Sequence, residues 1–357
     1  MNLSDSSGSR RITIAIDAMG GDLAPGECVR GALQAAADFP LDILLVGREE
    51  DVRRELAAAG STPENVGIVD AREVVEMNEN ALTPLRKKRD SSVRVAANLV
   101  AEGKAGAFVS AGHTGATWTS ARKVLGMIEG VSRPALAAIL PRTDGRTIIL
   151  DVGANVDSSS NNLREFAVMG HFYAQMALSI DNPRVGLLSI GEEEGKGNEL
   201  TREVYEVLKG AGLNFIGNVE GRDVFNGNAD VIVCDGFIGN VVLKASEALA
   251  EMIYRAVRDE ITRTPLRKAG AFLARGAFED LKKKMDWAEY GGAPLLGVKG
   301  GCVVCHGRSK AKAIRNAIRI AAEFVENRVD AKIQERISDL HLREKAQGME
   351  AAASRGH

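Results

Sequence analysis

Short runs of β-branched and apolar residues recur along the chain, each followed by a loop rich in Gly and Asx and then by a longer stretch with helical period. That alternation is the pattern of βαβ units. The clearest runs are residues 12–16, 43–46, 107–110, 147–151, 185–190 and 231–234. Stretches such as Thr147-Ile-Ile-Leu150 and Val231-Ile-Val-Cys234 are apolar almost without interruption, as strands covered on both faces are. The expected fold is α/β: a mostly parallel twisted sheet with helices on both faces, a Rossmann-like three-layer sandwich.

At 357 residues the chain exceeds the length at which one core usually stops growing, so it holds one large domain or two closely fused lobes. We read residues 1–11 as a polar, Ser-rich tail and 12–330 as a catalytic α/β block. The remainder, 331–357, reads as a charged helix, with Ile333, Ile337 and Leu340 at helical spacing, and a loose tail. An apolar share of 45% and a charged share of 26% exclude a largely disordered chain. A formal charge of −2 gives no whole-molecule field toward nucleic acid. No apolar run reaches membrane-span length, and residues 1–11 lack the apolar centre of a signal peptide, so a cytoplasmic protein is expected. Four cysteines are too few for a disulfide scaffold, and reduced thiols follow.

What ends each strand carries the chemistry. The segments are Asp17-Ala-Met-Gly-Gly-Asp22, Ser110-Ala-Gly-His-Thr-Gly115, Asp151-Val-Gly-Ala-Asn155, Gly191-Glu-Glu-Glu-Gly-Lys-Gly-Asn198 and Asp235-Gly-Phe-Ile-Gly-Asn240. Open α/β sheets bind ligands at the carboxyl ends of their strands. Glycines there let backbone approach a ligand, and the amide groups that follow suit an anion such as phosphate. Any one such loop also reads as a plain tight turn; several converging loops do not.

Familiar nucleotide motifs fail. Gly191 to Lys196 is one residue short of a P-loop, and Gly197 stands where a magnesium-binding hydroxyl is needed. Gly20-Gly21 lacks the spacing of a dinucleotide fold, so no nucleotide cofactor is expected. Cys302-Val-Val-Cys305-His306 matches a haem attachment pattern, but in an extended segment residues three apart face opposite ways, and no metal site is expected. Lys196, between Gly195 and Gly197, is either a solvated surface lysine or a mobile cation for an anionic substrate. Arg86-Lys-Lys-Arg89, followed by Asp90-Ser-Ser92, is either a solvated patch or a site where Lys88 and Ser92 meet one anion.

Taken together, Ile14-Ala-Ile-Asp-Ala-Met-Gly-Gly-Asp22 with Ala24-Pro25, Ser110-Ala-Gly-His-Thr-Gly-Ala116, Leu187-Leu-Ser-Ile-Gly-Glu-Glu-Glu194 and Tyr290-Gly-Gly-Ala-Pro-Leu-Leu-Gly297 resemble the bacterial phosphate acyltransferase (PlsX) family. Cys234-Asp-Gly-Phe-Ile-Gly-Asn240 and His306-Gly-Arg-Ser309 fit it in the same order, and the resemblance runs from about residue 12 to 328. It implies transfer of a fatty acyl group from acyl carrier protein to inorganic phosphate, a homodimer, and no metal or nucleotide. It also implies a pocket lined by Asp17, Gly20, Gly21, Ser110, Gly112, His113, Thr114, Asp151, Asn155, Asp235 and Gly239. For that chemistry Lys196 is the expected electrostatic stabiliser and Asn198 and Asn240 orient phosphate or carbonyl, while His306 assists proton transfer or orientation. His113 also reads as a structural histidine, and Asp17 or Asp151 as a turn cap.

Near 261–284 an amphipathic segment places Leu266, Ala269, Gly270, Leu273, Ala277 and Leu281 on one helical face with Phe272 and Phe278 at its margins, and Lys268, Arg275 and Lys282 opposite. Three uses fit: peripheral contact with an anionic membrane, docking of acidic acyl carrier protein, or packing within the protein or its dimer. A short-chain phosphotransacetylase using coenzyme A and a non-catalytic membrane scaffold are the competing functional readings.

Overall fold

A computed structural model describes residues 11–285 and 287–340, with residues 281–285 and 287 described by backbone alone. The expected tail at 1–10, the segment 341–357 and the side chains of Leu281 and Lys282 lie outside it. In chain order, β1 (Ile12–Asp17), α1 (Gly26–Asp38), β2 (Leu41–Gly47), α2 (Glu49–Ala59), β3 (Val66–Asp70) and α3 (Thr83–Arg86) come first. α4 (Ser92–Ala101), β4 (Ala107–Ser110), α5 (Thr114–Ser120), β5 (Ala135–Arg142), β6 (Gly145–Leu150) and α6 (Ser160–Ala177) follow. Then come β7 (Val185–Leu188), α7 (Glu199–Lys209), β8 (Phe215–Val219), α8 (Asp223–Asn226), β9 (Val231–Val233) and α9 (Gly236–Thr262). α10 (Pro265–Leu273), α11 (Arg275–Met285), β10 (Ala293–Leu296), β11 (Gly301–Val304) and α12 (Ala311–Glu326) complete the list, with a further helical run over 329–340.

The block read as one catalytic domain is organised as two compact units. Residues 11–125 with 300–326 form the first, and 126–299 with 327–340 the second. The first unit's strands run in the order β3-β2-β1-β4-β11, every pair parallel. α1, α2 and α12 bury one face through Val29, Ala32, Val52, Leu56, Ile314, Ala317, Ile318 and Ala321 against Ile14, Ile16, Ile43, Leu45 and Val109. Ile314, Ala317, Ile318 and Ala321 recur at helical spacing, and each fully buried isoleucine contributes about 1.5–3 kcal/mol. α4 packs on β1 and β4 with Val93, Ala96 and Ala97 buried. α1 and α12 cross at Gly31, where a Cβ would stand 2.6 Å from Ile314 Cβ. From β1 the chain winds outward to β3, then returns to β4 on the other side, so β1 and β4 flank a topological switch point, the usual ligand crevice of this architecture.

In the second unit the order is β10-β5-β6-β9-β7-β8. β5 pairs antiparallel with both β10 and β6; β6, β9, β7 and β8 are parallel. The buried α6 begins with a capping box between Ser159 and Asn162 and lies on β6 and β9. In the helical run 329–340, Ile333 and Ile337 are buried, so the charged segment has an inward face. The amphipathic segment is two helices, not one: α10 ends at Ala274, whose φ −93°, ψ 11° is not helical, and α11 begins beyond it. Among the described residues no helix is long and apolar enough to cross a membrane.

Candidate active site

At the carboxyl end of the first unit, three neighbouring strands deliver three loops. β1 ends at Asp17, which is in register with Ser110 of β4, and Ser110 with Val304 of β11. The Ser110 hydroxyl donates to Asp17 Oδ2 at 2.7 Å and accepts from the Gly112 amide at 3.1 Å. Gly20 fits because any Cβ would lie 2.5 Å from Asp17 Oδ2 and 2.7 Å from the Gly112 nitrogen. The third loop closes on the first: the Asp22 amide donates to Gly307 O at 2.8 Å, beside Gly21, whose φ of 106° suits glycine. A small notch between the β1 and β4 loops and the start of α4 is lined by Asp17, Gly20, Ser92, Gly112, His113 and Thr117, with Met19, Val74 and Val75.

Asp17 is 3% exposed, and burial pushes its carboxyl above the ordinary range against the hydroxyls of Ser92 and Ser110 and the amides of Met19 and Gly20, which favour the charged form. His113 occupies the N-cap of α5, its Nδ1 accepting from the Ala116 amide at 3.2 Å. In the neutral ring that bond leaves the hydrogen on Nε2. His306, exposed, repeats the device: its Nδ1 accepts from the Arg308 amide at 3.1 Å. Both imidazoles therefore offer Nε2 to a ligand. Thr114 is exposed at the first position of α5.

Four of the predicted residues in the second unit serve the loops themselves. Asp151 is fully buried, and its carboxylate accepts five N–H groups, from Leu136, Gly153, Ala154, Asn155 and the Asn155 side chain. Burial raises its pKa, and those donors oppose the rise. The Asn155 side chain donates again to Pro134 O. Asp235 caps α9 through the Ile238 amide, and Asn198 caps α7 through the Thr201 amide. Gly236 and Gly239 let the first turn of α9 press on the Asp151 loop: a Cβ on Gly239 would stand 1.9 Å from Asp151 O. Next to them Asn240 is exposed, its side chain against Gly153.

The β7 loop presents Lys196. Two of the three carboxylates before it are committed, Glu192 to Arg222 and Glu194 to Lys209, both at 2.7 Å, while the Glu193 carboxylate lies beside Gly191 with the Lys196 side chain. The Lys196 ammonium is exposed and has no side-chain partner among the described residues. Lys88 differs, because its ammonium donates to Val74 O and Glu79 at 2.6 Å, so it braces the segment beside Ser92 and holds Glu79 below its usual range. Thr117 was not singled out from sequence. Its hydroxyl lies 3.2 Å from Ser110 Oγ, one turn beyond His113, and only that helical spacing signalled it. All four cysteines are buried with raised thiol pKa values, Cys305 to about 12, so none is poised as a thiolate nucleophile.

Residues 12–332 match the family model described as fatty acid synthesis protein. A phosphate acyltransferase from Pelotomaculum thermopropionicum is 52% identical over 330 residues, covering 92% of this chain and 96% of that protein. The chain belongs to the phosphate acyltransferase family. A further relative of that name, from Geobacter sulfurreducens, is 49% identical over 324 residues, 91% of this chain and 94% of the relative. Membership of the phosphate acyltransferase family makes the chain an acyltransferase. Its fold is shared with a phosphotransacetylase from Streptococcus pyogenes, at TM-score 0.62 and 18% identity over 89% of this chain and 95% of that one. The EutD phosphotransacetylase from Staphylococcus aureus aligns at TM-score 0.59 and 16% identity, covering 88% and 94%.

Proposed function

We propose that this chain transfers a long-chain fatty acyl group from acyl carrier protein to inorganic phosphate, releasing acyl phosphate for phospholipid synthesis. The observation that carries the reading is Lys196: an exposed cation between two glycines with no ion pair among the described residues, at the carboxyl end of a parallel strand, in a loop whose Glu192 and Glu194 are neutralised by other partners. A phosphate oxygen attacks the thioester carbonyl, negative charge gathers on the carbonyl oxygen, and collapse expels the carrier's thiolate, which takes up the proton that phosphate brought. Lys196 and the Asn240 amide stabilise that charge, and the long α9 adds the positive end of its dipole. Buried, unreactive thiols fit direct attack by phosphate. Incubation with palmitoyl carrier protein and labelled phosphate, followed by hydroxylamine trapping, should yield labelled-phosphate-dependent hydroxamate. No product, or faster turnover of acetyl-coenzyme A, would overturn the reading.

In α10, Leu266, Phe272 and Leu273 are 84%, 74% and 88% exposed, and Lys268 is also exposed. This supports peripheral contact of α10 with an anionic bilayer. Phe278 lines an open groove with Ile261, Ala271 and Ala274, and Arg275 pairs with Glu279 at the start of α11. Leu273→Glu is expected to lose most sedimentation with anionic vesicles; undiminished pelleting removes the membrane reading. On α9, Leu249, Ile253 and Val257 stay exposed at helical spacing, which supports pairing with a second copy of the chain, checked by sedimentation equilibrium.

A further inference from the structure

The loop that presents Lys196 is held in its middle by one buried side chain from the edge strand of the second unit. Asn218 of β8, 5% exposed, donates from Nδ2 to Glu193 O at 2.9 Å. The same carbonyl accepts from the Lys196 amide at 3.0 Å, closing the turn from which the ammonium projects. From that turn the Lys196 stem runs back over Gly191, where a Cβ would stand 3.1 Å from Lys196 Cγ. Asn218 lies opposite Leu187 of β7, so the tether, the strand and the turn all belong to one unit. The other ties on this stretch, Glu192 to Arg222 and Glu194 to Lys209, join exposed side-chain tips and are weak in water. Asn218 Oδ1, by contrast, is buried and has no hydrogen-bond partner. An apolar side chain of the same size would fill the place without that unpaired acceptor, so packing alone does not account for an amide here.

We propose that Asn218 is a positioning residue for acyl transfer: by holding Glu193 O it fixes the turn that aims Lys196 at the developing oxyanion. The proposal rests on Lys196 being the stabiliser of that charge. A cation lowers the barrier most when its place is set before the charge develops. Lys196 stands between two glycines on an exposed loop, and without the Asn218 donor its turn keeps only the bond from its own amide to Glu193 O. The ammonium then samples directions away from the reacting carbonyl, and a misplacement of roughly 1 Å costs up to about a hundredfold in rate.

The test is a double-mutant cycle in the hydroxamate assay with the full chain. Asn218→Leu, checked for folding by circular dichroism, keeps the volume and removes both the donor and the unpaired acceptor. Its kcat is expected to fall about ten- to a hundredfold, with KM for the acyl donor near the parental value. In a Lys196→Ala background the same substitution should change kcat by less than about twofold, because no cation is left to aim. A parental kcat in folded Asn218→Leu, or an equal fold-loss in both backgrounds, would overturn the proposal, the second result marking a general structural role. If Asn218→Leu does not fold, Asn218→Ala is put through the same two backgrounds and judged in the same way. A parental rate in the single Lys196→Ala variant removes the stabiliser reading and this proposal with it, a result distinguishable from equal losses in both backgrounds.

Discussion

Alanine at position 196 is expected to slow acyl transfer by about 10²–10³ in kcat, the usual effect of removing one preorganised stabiliser of a developing oxyanion. Melting temperature should stay at the parental value, because Lys196 is exposed and makes no ion pair among the described residues that its loss would break. The two nearby pairs, Glu192 with Arg222 and Glu194 with Lys209, stay intact in the variant. The loop would keep its shape and lose only the cation. KM for the acyl donor should change little, since an interaction made mainly in the transition state alters kcat. A folded Lys196→Ala forming hydroxamate at the parental rate would remove Lys196 from the reaction.

The second large effect is on stability. In Gly239→Ala the new methyl would overlap Asp151 O, at 1.9 Å, and crowd Cys234 Sγ, at 2.9 Å, both held in the interior. Relief requires lifting the first turn of α9 from a loop whose Asp151 carboxylate gathers five N–H groups. Overpacking of this kind costs about 1–3 kcal/mol or more, and we expect a fall of roughly 5–10 °C in Tm. Activity should fall with it, because Asn240 rides on the same turn. Gly270→Ala is the matched control: nothing lies within 4 Å of its Cβ position, and its Tm should not fall. Equal melting of the two variants would show that α9 does not need close approach.

Much of this was legible in the chain. Six parallel strands, β1, β2, β4, β6, β7 and β9, announced themselves by apolar runs, whereas the parallel edge strands β3 and β8 did not, and β1, β4, β6, β7 and β9 each end in the Gly- and Asx-rich loops singled out from sequence. Less legible was which Asx residues face a ligand. Asp151, Asn155, Asp235 and Asn198 have the side chains that bind anionic substrates, and the same groups cap helices and tie loops; only their partners separate the uses. Lys88 reads from sequence either as part of a solvated patch or as an anion ligand, and its ion pair with Glu79, nine residues earlier, has no signature in the chain. The antiparallel β5 and β10 escaped notice because both contain proline and both are short or interrupted in their apolar pattern. Two fused lobes were one of the two readings of the length, but their bounds were hidden for a different reason: neighbours in space are not neighbours along the chain.

The first unit carries that last point furthest. Its fifth strand and the helix that covers α1 come from residues 301–326, after more than a hundred and seventy residues of the second unit. On a ribosome the amino-terminal four strands emerge early with the apolar side of α1 bare around Gly31, and they must wait for α12 to be synthesised. Loop closure over such a span is slow, and exposed apolar surface in the interval invites aggregation or chaperone capture. A nascent chain halted before residue 300 is thus expected to remain protease-sensitive in its first 125 residues, however long it is left to mature.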